Sequence, residues 1–148
     1  MAQEDFVREN PVFFLMERSG HQPAELGPAF PGFSVEEIIS LLHDNRFGLR
    51  RTVERFGYLG IRECKSDYFN VNKDGSRSNG FNSVVSNDGY KVHCYGGSTT
   101  VGQNVADNQT ISAYLESKLR KKLNVNVFNF GAGNHTSLHS SLRLLDHV

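Results

Sequence analysis

The residues best placed to do chemistry lie in Gly96-Gly97-Ser98-Thr99-Thr100-Val101-Gly102. A Gly-rich turn between a strand and a helix holds a phosphate, exposes a nucleophile, or only turns the chain. This one lacks the G-x-x-x-x-G-K-[ST] spacing and the Lys of a P-loop, and it does not match G-x-G-x-x-G. What remains is a serine flanked by glycines at the expected C-terminal end of a parallel strand, where open α/β sheets bind ligands. Ser98 there can offer its hydroxyl and its own N–H to a substrate, with Gly97 beside it. A serine hydroxyl is a poor nucleophile until a base takes its proton. His135 stands in a second turn near the same crevice edge and reads either as a substrate contact or as a solvated loop residue. His93 falls inside a strand, and His43 and His139 fall on helices. Asp146 and His147 are adjacent rather than spaced, and lie on the last helix.

The elements that must position Ser98 follow from periodicity. Lys91 to Tyr95 alternates as a short strand. Asp107 is the expected N-cap of a helix over residues 107–122, whose apolar positions Ile111, Tyr114, Leu115, Leu119 and Leu123 recur at spacings of three and four and should face the sheet. Arg120, Lys121 and Lys122 suit its C-terminal dipole and read as a solvated helix end rather than a nucleic-acid patch. Val125 to Phe130 is a second strand, followed by the turn Gly131 to Ser137 and a further helix. Strand, turn, helix, strand, turn, helix is a βαβα unit, which builds a right-handed parallel sheet. Upstream, Ser34 and Glu37 form an S-x-x-E capping box for a helix with Ile38, Ile39, Leu41 and Leu42 on its apolar face, fraying near Asp44 or Asn45. Residues 49–56 suggest a second helix, and residues 1–17 a short one broken near Pro11. All four prolines fall within the first 33 residues, so 21–32 reads as loop. Residues 68–89 read as turns and short strands. Phe30, Phe33, Phe56, Phe69, Phe81, Phe128 and Phe130 are expected in the core.

Composition narrows the class. The chain has 148 residues, 16 Lys plus Arg and 16 Asp plus Glu. A charge of zero argues against a dedicated nucleic-acid binder. The longest apolar run near the start, Val12 to Met16, is too short to span a bilayer and follows Glu4, Asp5 and Glu9, the wrong flank for a secretory signal. A cytoplasmic location is therefore expected. Cys64 and Cys94 form no C-x-x-C pair and no disulfide framework, so no metal site is expected and Cys94 reads as a small core residue. Nor does any cofactor box stand out. The sequons at Asn108 and Asn134 read as chance.

The segment Tyr95 to Gly102 resembles the first block, G-D-S-x-[ST]-x-G, of the SGNH, or GDSL-like, hydrolases. Asp107-x-x-Thr110 followed by Tyr114-Leu115-x-x-x-Leu119 is similar to the helix after that block. Val125-x-Val127-Phe128-Asn129-Phe130-Gly131 with Thr136-Ser137 resembles the second block, and Asn72-x-Asp74-Gly75-x-Arg77 the lead-in to such domains. The resemblance implies an α/β fold with a flavodoxin-like parallel sheet, incomplete here, over residues 68–148. Residues 1–67 would be a helical and irregular N-terminal extension. It implies a serine ester hydrolase acting on a small-molecule or carbohydrate-linked acyl ester, with Ser98 as nucleophile. The oxyanion hole would use the backbone N–H groups of Ser98 and of Asn134, where the family usually has Gly. Gly97 replaces the usual Asp and, with His135, would border the substrate. The block-three G-x-N-D and the terminal Asp-x-x-His do not occur in these residues. A βα unit takes roughly 30 residues, so the chain reads as the N-terminal part of such an enzyme, inactive by itself. The other reading is a non-catalytic α/β binding or interaction module.

Overall fold

The computed structural model describes residues 23–54, 57–81 and 88–147. The short helix expected over residues 1–17, and Phe56, lie outside the described residues. Residues expected as loop before Ser34 instead contain a 3-10 helix, Pro23–Ala29. Helix α1 (Val35–Gly48) begins with the expected capping box: Ser34 Oγ accepts from the Glu37 N–H at 3.2 Å, and the Glu37 carboxylate accepts from the Ser34 N–H at 2.8 Å. The helix does not fray at Asp44 and Asn45, because both are anchored. Asp44 accepts from the Tyr68 N–H at 3.0 Å, and Asn45 donates to Val105 O and accepts from the Asn104 N–H.

The second helix expected over residues 49–56 is replaced by a strand at 51–53, while residues 55 and 56 lie outside the described residues. Strand β1 (Arg51–Val53) pairs antiparallel with β2 (Leu59–Ile61), Thr52 opposite Gly60. Two of the three β1 residues are β-branched, which favours a strand over a helix. Gly57 turns the chain with φ +76°, a conformation a helix would not use.

The second half carries β3 (Tyr90–Cys94), α2 (Ser98–Val101), α3 (Ile111–Leu119), β4 (Val125–Asn129) and α4 (Ser137–Asp146). β3 and β4 are parallel neighbours, in register from Tyr90 opposite Val125 to Cys94 opposite Asn129, as the βαβ pattern requires. The described residues therefore form a mixed α/β fold with two small sheets, one parallel pair and one antiparallel pair. The segment before β3 covers the outer edge of β4: Arg77 bridges Asn129, and Asn79 Nδ2 donates to Val127 O at 2.7 Å.

Helix α3 differs from expectation in both cap and face. Thr110, not Asp107, caps it, accepting from the Ala113 N–H at 3.1 Å. Asp107 is buried and paired with Arg77 instead. The buried positions are Ser112, Ala113 and Glu116, while Ile111 is 60% and Tyr114 61% exposed. Small residues and hydrogen bonds explain the choice: Ser112 Oγ donates to Asn79 Oδ1, and Asn79 Nδ2 donates to the Glu116 carboxylate. Arg120 is half-buried against Glu116 and over the Phe81 ring, so it is not part of a solvated end; Lys121 and Lys122 are exposed.

Among the described residues, the core contains two small clusters. Ile61, Phe69, Val71, Val101 and Ala132 form one, with Leu49 and Cys64 at its margin. Ile38, Leu41, Leu42 and Ala106 form the other, flanked by Phe30, Phe33 and Tyr68. Val101 and Ala132 come from the two turns that follow β3 and β4, so hydrophobic burial fixes the turns themselves. Phe81 is exposed at 42%, against the expectation of a core residue, and Cys94 is half-buried. Contacts cross the expected boundary at 67/68, among them Tyr58 Oη donating to the Asp146 carboxylate at 2.7 Å. Among the described residues, no helix is long and apolar enough to cross a membrane.

Candidate functional site

The chain leaves β3 at Cys94 and enters α2 at Ser98, with Gly97 as its N-cap in an extended conformation. Ser98 is exposed as the first helical residue, and its carbonyl accepts from the Gly102 and Gln103 N–H groups at 3.1 and 3.0 Å. First-turn N–H groups have no intrahelical acceptor. Among the described residues, the Ser98 N–H donates to no protein group and no base contacts the Ser98 hydroxyl.

The second turn is locked against the first by backbone bonds. Phe130 N–H donates to Cys94 O at 2.8 Å, and Ala132 N–H donates to Gly96 O at 2.9 Å. Between them, Gly131 faces the backbone of Thr100 and Val101 so closely that a Cβ would lie 2.7 Å from the Thr100 carbonyl carbon. Asn129 holds the start of this turn by accepting from the Gly131 N–H at 3.1 Å. The His135 N–H returns to Ala132 O at 3.2 Å, closing a turn in which Asn134 has φ +65°. That backbone favours Gly and tolerates Asn, so Asn134 occupies a position at which glycine would be natural.

His135 enters the site through its backbone: a Cβ on Gly97 would sit 3.3 Å from the His135 carbonyl oxygen. Its side chain turns away. Nε2 hydrogen-bonds to Leu59 O, so the imidazole donates there, and Nδ1 is buried with no partner among the described residues. Its ring is edge-on to Tyr58 and stacks on His139 at 5.3 Å. Burial, followed by the Arg143 charge, pulls its pKa below the ordinary histidine value despite the Leu59 carbonyl. His135 is therefore half-buried and structurally engaged, not a solvated loop residue.

A cavity of about 480 Å³ borders Ser98, with Thr99, Gln103, Asn104 and Ile111 in its wall. Gly97, Asn134 and His135 are not among its described lining residues. The larger cavity, about 620 Å³, lies on the other side of residues 105–108 against Phe33, Tyr68, Asn72 and Phe81, and contains none of the candidate residues. Volume alone thus points away from the turn. The turn is the better candidate, since two parallel-strand ends converge on it.

Two features escaped the sequence reading. The first is a pair of buried arginines. Arg77, 2% exposed, pairs with Asp107 at 2.9 Å, and Arg143, also 2% exposed, donates to Phe130 O at 2.9 Å and Gly75 O at 3.0 Å. Burial lowers both guanidinium pKa values, opposed at Arg77 by the Asp107 charge. The second is a ring cluster. Tyr95 Oη lies 3.1 Å from His93 Nδ1 and 2.8 Å from His147 Nδ1, with the tilted Phe130 and His147 rings 4.1 Å apart. The spacing His93-x-Tyr95 beside Phe128-x-Phe130 places four rings on one side of the two strands, a signal present in the sequence. Among the described residues, no group of three or more His, Cys, Asp or Glu is placed to hold a metal.

No protein-family model matches the chain, and no curated protein matches it.

Proposed function

We propose that these residues carry the nucleophile half of a serine ester hydrolase of the SGNH type. Ser98 attacks an acyl carbonyl, and the Ser98 and Asn134 backbone N–H groups receive the oxyanion. One observation carries the reading. The serine turn after β3 and the second turn after β4 are locked together by backbone bonds, and the fifth residue beyond Asn129 has φ +65°. That is the position at which the resemblance expects a hole-forming glycine. The sheet edges add support. Arg77 and Asn79 occupy the outer edge of β4, so a further parallel strand has only β3 to pair with. A flavodoxin-like sheet requires this, because its first strand lies between the second and the third.

The proposed substrate is an acyl ester of a small molecule or carbohydrate, reached without metal or cofactor. The base is not supplied by His135, whose Nε2 is committed to Leu59 O, nor by Asp146, which accepts from Tyr58. General-base help is worth roughly 10²–10⁴-fold, and an oxyanion donor about 10²–10³-fold. The 148 residues should therefore hydrolyse p-nitrophenyl acetate no faster than their Ser98→Ala variant. A polypeptide that also supplies the block-three Asn and the Asp-x-x-His pair should turn it over and lose that activity with Ser98→Ala. If such a polypeptide is equally active with and without Ser98, the proposal fails. The engagement of His135 with Leu59 O, of Asp146 with Tyr58 and of His147 Nδ1 with Tyr95 Oη favours the second reading, a non-catalytic binding module. Absence of Ser98-dependent turnover in a polypeptide that also supplies those residues would support it.

A further inference from the structure

Arg77 belongs to the lead-in segment, 21 positions before Ser98 in sequence, yet its bonds converge on the turn that Ser98 begins. Nη1 donates to Val101 O at 2.8 Å and to Gly102 O, the carbonyls at the end of the four-residue helix α2. Nη2 donates to Val105 O at 2.7 Å and to Tyr68 O at 3.3 Å. Nε donates to the Asp107 carboxylate at 2.9 Å, and the guanidinium lies 4.2 Å above the Phe69 ring. Asp107 is itself oriented by the Asn70 N–H and side-chain amide. The Arg77 backbone N–H donates to Asn129 O at 2.8 Å, at the end of β4. One residue thus holds both the end of the Ser98 helix and the end of β4.

We propose that Arg77 is the positioning residue of the Ser98 turn, its guanidinium clamping the carbonyls that end the Ser98 helix while its backbone holds the end of β4. The inference rests on the reading of Ser98 as nucleophile. A helix of four residues has too few bonds to hold its own geometry. Charge-assisted bonds to its final carbonyls replace the missing turns, and the cation suits that end of the helix. Gly102 keeps the path clear: it has φ +75°, and a Cβ there would lie 3.2 Å from Arg77 Nη1 and 2.7 Å from Thr110 Cγ2. The functional stake is placement, since a nucleophile displaced by about 1 Å loses roughly 10²-fold in rate.

The test is residue-resolved amide exchange by NMR on the 148-residue chain and on Arg77→Met and Arg77→Lys. Arg77→Met keeps an apolar stem on Phe69 and removes every guanidinium bond. The Val101, Gly102 and Gln103 amides, whose acceptors are Gly97 O, Ser98 O and Thr99 O, should exchange roughly 10- to 100-fold faster. The ladder amides of β4 should change by less than about threefold. Arg77→Lys, with one compact cation in place of the fork, should restore part of the protection. If Arg77→Met does not fold, the same local-against-ladder comparison in Arg77→Lys decides. Equal acceleration at the turn and in β4 would assign Arg77 a general structural role and overturn the proposal, as would unchanged turn amides. Ester hydrolysis does not enter this readout, so it stands or falls apart from the hydrolase reading.

Discussion

Replacing Gly131 by Ala tests whether the two turns meet backbone to backbone. A Cβ at Gly131 would lie 2.7 Å from the Thr100 carbonyl carbon and closer still to the Val101 nitrogen. Carbon atoms rest at about 3.5–4.0 Å, so the turns must separate by roughly 1 Å. A side chain could rotate away, but these atoms are backbone in the helix that begins at Ser98. Overpacking of this kind costs about 1–3 kcal/mol. Separation also weakens Phe130 N–H to Cys94 O and Ala132 N–H to Gly96 O, each worth about 0.5–1.5 kcal/mol. The expected loss is therefore about 2–4 kcal/mol. Gly133, two residues on, supplies the control, because a Cβ there meets nothing within 4 Å. Neither glycine has a left-handed backbone, so Gly133→Ala should be neutral or stabilise by up to about 1 kcal/mol through the unfolded chain. Urea denaturation followed by far-UV circular dichroism separates the two. At an m-value of about 1–3 kcal/mol/M, Gly131→Ala should lower the midpoint by roughly 1–2 M without changing the slope. If the two variants fall within about 0.5 kcal/mol of each other, the turns are not packed as described.

Mild acid should weaken the fold through three partly buried histidines. His93, His135 and His147 all have pKa values lowered first by burial, with His147 adding to the effect at His93 and Arg143 to that at His147. In the unfolded chain they return to about 6.5, so the unfolded state binds more protons below that value. Their contribution is complete above about pH 6.5 and is lost as pH falls through the lowered folded values; a urea midpoint no lower at pH 5.5 than at pH 7.5 would contradict this. At position 134, Asn134→Gly should be neutral or slightly stabilising, because φ is +65°. Asn134→Val should cost about 1–2 kcal/mol, and equal midpoints for the two variants would show that the left-handed turn is absent.

Much of the scaffold was legible because it rests on local rules. The Ser34 box is a short-range exchange between two side chains and two N–H groups, and it forms as written. The parallel pairing of β3 and β4 follows from two short apolar strands separated by a helix, a spacing too long for a hairpin. Ser98 follows the first of these strands, and Asn134 and His135 fall in the turn after the second, so the convergence of the two turns was readable as topology. The pairing of residues 51–53 with 59–61 was not, since LRRTVERF has a helical spacing of apolar residues. Thr52 and Val53 adopt the strand instead because β2 offers them a partner.

What periodicity could not reveal is which face of α3 meets the protein. Its apolar stripe is present in the sequence, yet Ser112, Ala113 and Glu116 are the residues buried. A hydrophobic spacing identifies a face that would gain from burial, but available space and polar partners decide which face is buried. Here Asn79 reaches over the edge of β4 to Val127 O and must satisfy the rest of its amide inside the protein. Ser112 and Glu116 provide those bonds. Leaving such a group unpaired would cost about 1–3 kcal/mol, comparable with the about 1.5–3 kcal/mol gained by burying one large apolar side chain. The same reasoning applies to Asp107. Its sequence context is that of a helix cap, but the buried guanidinium of Arg77 needs a counter-charge more than a helix end needs an acceptor, because an unpaired buried charge is among the costliest defects a fold can carry. Thr110 can replace Asp107 as a cap. Among the described residues, the carboxylate that pairs with Arg77 is that of Asp107, so the longer-range demand determines the local structure.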